Sequence, residues 1–413
     1  MTQSDGRSAE GRGELNRTGG VLLPDTEEAL AAEIARAHAA REPLGIEGRG
    51  TKRAMLRPVQ AARTLSTRNL TGITLYRPTE LMIRARAGTP IPEIEAALAE
   101  NNQQIIAEPP DLSALFGASE GATLGGVVST NLSGPRRIMW GAMRDHVLGI
   151  RAVTGEGEVF RSGGRVLKNV TGLDLCKLLT GAHGTLGVLT EVTLKVLPRA
   201  EATGTLAIRV PDAARGVAAL SAALGSPYGV SGAALLMDGH ATMGLTGTVA
   251  LARIEDFRES VTYRMAKLRE ELAALGEATL LDTEPSHALW RAVRDAEPLG
   301  ASPDEAIWRL SVAPSAAPRA VIALRAAFDA KLLLDWGGGL IWVAGPATEH
   351  AHGAVMQAAA GARGSFTLFR APASLSATVP VLPEEPPPLA AIARRVKATL
   401  DPQGLLNPGR MRA

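Results

Sequence analysis

The sequence predicts a mixed α+β protein, and three observations carry that prediction. Short stretches of strand character alternate with helical ones. Two glycine-dense blocks, one near residues 121–134 and one near 181–187, each run into a regular apolar segment. Near Pro198 the glycine-rich character stops and a second series of alternating pieces begins, which places a domain boundary there. No repeat of one fixed length links the pieces.

Residues 1–20 are polar, without the apolar stretch of a signal peptide, and read as a mobile tail. Order is expected from Val21. Asp25 or Thr26 can cap a helix whose first turn carries Glu27 and Glu28, with Leu30, Ile34 and Ala37 as its inner stripe. After Pro43, LGIEGRGTK reads as a short strand running into a tight loop. TGITLY is strand-like, and Leu81 to Ala87 alternates apolar and Arg positions as a strand with one buried face does. Pro90 and Pro92 fit only the first turn of a helix, which Ile94, Ala97 and Leu98 supply with an apolar stripe. Strands are expected again at Val147 to Val153, Val159 to Arg161 and Val188 to Val196.

Beyond the boundary, LAIRV, ALLMD, IWRLSV, LIWVAG and FTLFRA are strand candidates, and Ser260 to Leu275 and Pro318 to Phe328 are helices between them. The proline-rich connector VPVLPEEPPP leads to a helix from Leu389 to Leu400 and a tail, DPQGLLNPGRM, expected to return to the first domain.

With 413 residues, 46% of them hydrophobic, the chain can fill a substantial core. A net charge of +2 is no footprint of a nucleic-acid binder. The one cysteine, Cys176, cannot form an internal disulfide or hold an iron–sulfur cluster, which takes four thiolates. In LDLCKLL it stands at helical spacing from Leu173 and Leu179 and reads as a small buried hydrophobe rather than a nucleophile. No apolar run has the length of a membrane span, and the expected location is the cytoplasm, with membrane contact only through partners.

The glycine blocks suit a chain that wraps its backbone around a large phosphorylated cofactor, because glycine permits close approach and free amides bind phosphate oxygens. Gly48, Arg49, Gly50, Thr51 and Lys52 form a loop that misses the P-loop pattern, since Lys and Thr stand in the wrong order. It misses the Rossmann fingerprint too, because Arg53 occupies the third glycine position.

Taken in order, GRGTK, then EPP…GATLGGVVSTNLSGPRR…WGAMRDHVLG, then LKNVTGLDLCKLLTGAHGTLGVLTE, then DPQGLLNPGR resemble the FAD-binding fold of the vanillyl-alcohol oxidase and p-cresol methylhydroxylase (PCMH) superfamily. Within it the likeness is to the FAD-binding subunits of bacterial glycolate oxidases. The resemblance implies a two-subdomain PCMH-type FAD-binding domain over residues 21–200, a smaller α+β cap domain over 201–375, and a C-terminal segment, 376–413, packing back on the FAD domain. It assigns Gly48 to Lys52 to the FAD pyrophosphate. Pro109, Gly121, Thr123, Leu124, Gly125 and Gly126 line the cofactor, and Thr130, Asn131, Ser133 and Gly134 continue toward the isoalloxazine ring. Gly141, Arg144 and Asp145 lie in the matching WGAMRD segment, while Lys168, Gly184, Thr185, Gly187 and Val188 fall in the last FAD-contacting stretch. Arg144 and Asp145 also read as a surface ion pair.

His183 stands where many relatives carry Glu, and Leu173 where many carry Tyr. The first loop has neither His nor Cys, so non-covalent FAD is expected. The resemblance further implies oxidation of glycolate or a similar D-2-hydroxy acid to the 2-oxo acid, a separate iron–sulfur subunit, and a paralogous flavin subunit. Alternatives are an autonomous hydroxy-acid oxidase and a non-catalytic nucleotide-binding scaffold.

Catalytic residues are not identified. His183 reads either as a hydrogen-bond donor to the flavin or as a loop residue filling space. Arg370 reads either as a carboxylate clamp or as a surface arginine on an edge strand. Related dehydrogenases hold a metal with a His-rich motif, but His350 and His352 in ATEHAHGA lack its frame and are expected in solvent, so no metal site is expected. Arg136 and Arg137 read as a partner-binding or substrate-steering pair, or as a solvated loop.

Overall fold

The computed structural model describes residues 20–164 and 173–412. Three larger sheets and one two-stranded pair, Gln103–Gln104 with Leu197–Pro198, organise them. Val21–Leu22, Arg63–Ser66 and Leu44–Glu47 form a small parallel sheet. Ile73–Arg77, Met82–Arg86, Val188–Lys195, Val147–Val153 and Val159–Gly163 form an antiparallel sheet of five strands, in that spatial order. The third sheet has eight strands, all antiparallel, drawn from residues 202–370.

The first helix, Glu27–Ala40, begins at Thr26, whose hydroxyl accepts from the Ala29 amide at 3.1 Å. Leu30, Ile34 and Ala37 are fully buried, as the stripe predicts, and pack with Leu44, Leu65 and Leu406. Burying a leucine or isoleucine there contributes about 1.5–3 kcal/mol. Leu406 belongs to the C-terminal tail, which completes the small sheet. The Leu44 amide donates to Leu405 at 2.8 Å, and the Asn407 amide donates to Leu44 at 2.9 Å. Helix Ile91–Ala99 starts where Pro90 and Pro92 place it, with Ile94 and Leu98 buried, although Ala97 is only half-buried.

The eight-stranded sheet runs Glu277–Leu281, Ala202–Arg209, Val249–Asp256, Val230–Leu236, Lys331–Asp335, Leu340–Gly345, Ala306–Ser311 and Ser365–Arg370. All seven residues of Val230–Leu236 are buried, which requires cover on both faces. Helices such as Ala213–Gly225 and Ala317–Ala327 share its core, and Met55, Leu56, Leu112 and Leu132 from the N-terminal half join the same cluster. The sheet therefore packs directly against the segments that follow the glycine loops.

Strands not anticipated from sequence include Val21–Leu22, Arg63–Ser66, Gln103–Gln104, Val249–Asp256, Glu277–Leu281 and Lys331–Asp335. Cys176 is buried, in helix Leu175–Leu179. Leu173 is not its helical partner, since it precedes that helix and is 82% exposed.

Candidate functional site

A cavity of about 350 Å³ opens where three loops meet. The first leaves strand Leu44–Glu47, the second enters helix Leu124–Thr130, and the third precedes strand Val188–Lys195. Gly48 lets the first two touch, because a Cβ there would lie 2.3 Å from the Thr123 hydroxyl oxygen. Gly50 has φ +70°, a backbone conformation that side chains other than glycine rarely adopt. Among the described residues, the amides of Arg49, Gly50, Thr51 and Lys52 donate to no protein acceptor. Amides left free beside an open cavity are donors for a ligand's oxygens.

Lys52 adds charge to these donors. Burial pushes its ammonium down to about 8, and Asp111 only partly opposes that shift. Its one hydrogen bond is to Thr51 Oγ1, at 3.3 Å, and it makes no ion pair among the described residues. His183 lines the same cavity, where burial and the nearby Arg410 charge drive its imidazole down to about 3. It is neutral at physiological pH.

Twelve of the residues assigned from sequence line this cavity together: Gly48, Arg49, Gly50, Thr51, Lys52, Thr123, Gly125, Gly126, Thr130, Gly184, Gly187 and Val188. Val188 is also paired in its sheet opposite Val153. Lys168 lies outside the described residues. The remaining ten are not part of the lining and have other local roles. Leu124 is buried in the core. Asn131 ends its helix, with its side-chain oxygen accepting from the Arg144 amide at 3.0 Å. Ser133 accepts from the Met143 amide at 2.8 Å, and Thr185 donates to the Ala182 carbonyl at 2.7 Å. Gly134 packs against Glu108, where a Cβ would lie 2.3 Å from the carbonyl oxygen. Gly141 closes the short helix Arg137–Trp140, Pro109 is buried, and Gly121 has open space around it. Arg144 and Asp145 are an exposed ion pair at 3.9 Å.

The lining residues missed as site residues include Asn407 and Arg410, although the NPGR motif that contains them was noticed. Asn407 ties the first loop's strand to the third loop. Its side chain accepts from the Ile46 amide at 2.7 Å and donates to the Ile46 and His183 carbonyls at 3.2 and 2.8 Å. Arg410 holds the first loop from behind, donating to the Lys52, Arg53 and Arg57 carbonyls at 2.5, 2.9 and 3.2 Å.

Three expectations for charged side chains are corrected. Arg136 is neither solvated nor free, because it lies in a buried seam between the second loop segment and the eight-stranded sheet. It pairs with Glu255 at 2.6 Å and Glu108 at 3.3 Å, while Arg253 grips Glu108 at 3.0 and 3.2 Å and stacks on Trp290. Burial pushes the carboxyls of Glu108 and Glu255 up, but the two guanidiniums outweigh it and hold both below the usual range. Arg370 is buried and bound to the carbonyls of Leu115, Ser302 and Glu305, so it serves neither as a clamp nor as a surface residue. His352 is buried as well, accepting at Nδ1 from the Trp308 indole at 3.1 Å, and only His350 is exposed. No cluster of three or more His, Cys, Asp or Glu able to hold a metal occurs among the described residues.

Glycine loops from a small parallel sheet and an antiparallel sheet, closing on one cavity beside a third, larger sheet, define a PCMH-type FAD-binding oxidoreductase. The architecture is similar to alkyldihydroxyacetonephosphate synthase, with TM-score 0.70 and 17% identity over 94% of this chain and 76% of that one. It is equally similar to p-cresol methylhydroxylase, with TM-score 0.70 and 13% identity over 95% and 88%. Residues 18–163 match the family described as FAD binding domain, and residues 379–411 match the C-terminal domain of FAD linked oxidases. Glycolate oxidase subunit GlcE of Escherichia coli is 36% identical over 395 residues, 94% of this chain and 98% of that protein. Glycolate oxidase subunit GlcD of Bacillus subtilis is 33% identical over 46% of this chain and 42% of its own length. The chain belongs to the FAD-linked oxidase family that includes GlcE, and its cofactor is FAD.

Proposed function

We propose that this chain is the FAD-binding subunit of a glycolate oxidase complex, and that FAD lies in the three-loop cavity without a covalent link. The observation that carries this reading is the set of unpartnered donors there. The free amides of Arg49 to Lys52 and the unpaired ammonium of Lys52 suit the two negative charges of a dinucleotide's diphosphate. Thr51 and Thr123 add hydroxyls to the same wall. On this reading the FAD domain spans residues 21–200, the cap 201–375, and the returning segment 376–413.

In that cavity the chain would hold FAD as a hydride acceptor for the substrate's α-carbon, chemistry that would leave a 2-oxo acid once the hydroxyl proton departs. The chain's own residues bind and orient. Lys52 neutralises charge at the diphosphate, while Asn407 and Arg410 fix the spacing between the first and third loops. His183, being neutral, adds no charge to the cavity wall. The substrate is glycolate or a similar 2-hydroxy acid, and the electrons leave to an iron–sulfur subunit, with a paralogous flavin subunit in the same complex. The names of the relatives GlcE and GlcD support a multi-subunit assembly. No helix among the described residues is long and apolar enough to cross a membrane, and we place the complex in the cytoplasm or against the membrane's inner face through partners.

An absorption spectrum of the purified chain, before and after anaerobic glycolate, tests this. Flavin bands that bleach only with the partner subunits added are expected. Bleaching by the chain alone replaces the reading with an autonomous enzyme, and failure to take up FAD overturns it.

A further inference from the structure

Helix Pro387–Leu400 is 14 residues long, and none of them is buried. A helix of that length is marginal in water by itself, and the packing of an apolar face normally supplies its stability. Such a face is present. Leu389, Ile392, Ala393, Val396 and Leu400 recur at helical spacing on one side. Val396 and Leu400 are half-buried, but Leu389 and Ile392 are 56% and 57% exposed. Arg394 and Arg395 are exposed on the same helix, which carries no acidic residue. Among the described residues neither makes an ion pair. Of the flanking carboxylates, Glu385 is taken by Arg412 at 2.9 Å and Asp401 by Lys397 at 2.5 Å, while exposed Glu384 stands ten positions before Arg394.

The exposed end projects from a fixed base. Lys397 donates at 2.6 Å to the carbonyl of Thr185, which stands between the cavity-lining Gly184 and Gly187. The Leu400 carbonyl accepts from the Gly155 amide at 2.8 Å, and the Leu400 side chain packs on the core that includes Val192 and Leu194. Whatever lands on Leu389 and Ile392 therefore lands on a helix tied directly to the third loop of the cavity.

We propose that the iron–sulfur subunit docks on this face, through an apolar groove that takes Leu389 and Ile392 and an acidic border that pairs with Arg394 and Arg395. That such a subunit exists rests on the function proposed above. Charge favours it, because a cluster held by four thiolates is anionic and its carrier matches a helix whose free charges are cations. Position favours it too, since an electron acceptor must approach the flavin cavity and the helix is bonded to that cavity's wall. A second copy of this chain is disfavoured, because a two-fold contact here sets Arg394 and Arg395 against themselves. A membrane surface suits a helix with aromatic anchors and a denser row of cations. This one has no aromatic residue, and its Lys397 is already engaged.

The test mixes the full chain, loaded with FAD, with the purified iron–sulfur subunit and separately with the paralogous flavin subunit, and follows binding by biolayer interferometry at low and high salt. Leu389→Gln with Ile392→Gln keeps helix-forming residues and removes the stripe. It is expected to weaken the iron–sulfur subunit at least about tenfold, with flavin content unchanged. Arg394→Gln with Arg395→Gln is expected to weaken it about threefold to tenfold and to flatten the salt dependence, and it carries the test if circular dichroism shows the first variant losing its helix. Unchanged affinity in the variants, with the parent chain binding, overturns the proposal and leaves the proposed function standing. A parent chain that does not bind the iron–sulfur subunit also overturns it, and if neither subunit binds, the function proposed above falls with it. Where the substitutions release instead the paralogous flavin subunit, phosphatidylglycerol vesicles or a second copy of the chain, the face has another occupant and the proposal is overturned.

Discussion

The two polar regions of this molecule are built on opposite rules. In the seam between the second loop segment and the eight-stranded sheet, every charge has an answer. Glu108, Arg136, Arg253 and Glu255 form a closed set, with the Ser231 hydroxyl donating to Glu255 at 2.7 Å. In the three-loop cavity, amides stand without protein acceptors and an ammonium without an ion pair, among the described residues. Buried polar groups left unmatched cost free energy, so a fold that satisfies its seam completely but leaves its cavity open is holding those donors for something else. The seam holds the sheets together, and the cavity waits for its cofactor.

The largest effect is expected at the seam. Arg253→Met strands Glu108 and weakens Glu255, and breaking a buried pair this way costs about 3–5 kcal/mol, read as a fall in the denaturant midpoint. The companion double variant Arg253→Met with Glu108→Gln should recover part of that loss; no recovery would mean the pairing energy lies elsewhere. Because both glutamates titrate below their unfolded value of about 4.3, their stabilisation is complete above that pH and is lost as pH falls below it. An acid unfolding curve that is unchanged in the double variant would refute this assignment.

At the cavity, Gly48→Val places a side chain into the Thr123 hydroxyl and is expected to weaken FAD at least about a hundredfold, about 2.7 kcal/mol. Retention of flavin through gel filtration reads it out, alongside circular dichroism of the apo chain. A smaller loss, about tenfold, is expected for Lys52→Met. In the parent chain the Lys52 ammonium is already present below pH 8, whereas above it FAD binding must take up a proton. Affinity should then decline by up to about tenfold per pH unit, and this decline should vanish in Lys52→Met. The smallest effect belongs to Arg144→Ala. Its exposed pair with Asp145 lies off the cavity lining, so FAD affinity should change by less than about twofold.

Sequence periodicity was sufficient where one face of an element meets the core. Leu30, Ile34 and Ala37 announce their helix, and Val147 to Val153 its strand. It failed where a charge interrupts or ends a short apolar run. Val249–Asp256 carries Arg253 in its middle, a charge that breaks the apolar pattern and is tolerated only because Glu108 lies across the seam. Lys331–Asp335 is short and ends in an acidic residue. The glycine loops were legible because close approach leaves a compositional trace, as at Gly48. Partnership across long separations leaves none, so Arg136 and Arg370 looked free until the fold supplied Glu255 and three carbonyls. Asn407 and Arg410 were visible as a motif, but their work on the first loop depends on contacts that no local pattern encodes.

Asn407 reaches Ile46 across 361 positions of the chain. The clasp that fixes the distance between the first and third loops is therefore synthesised long after both loops have been made. The cradle cannot tighten around a dinucleotide until Asn407 has left the ribosome, so cofactor capture trails the making of the loops themselves.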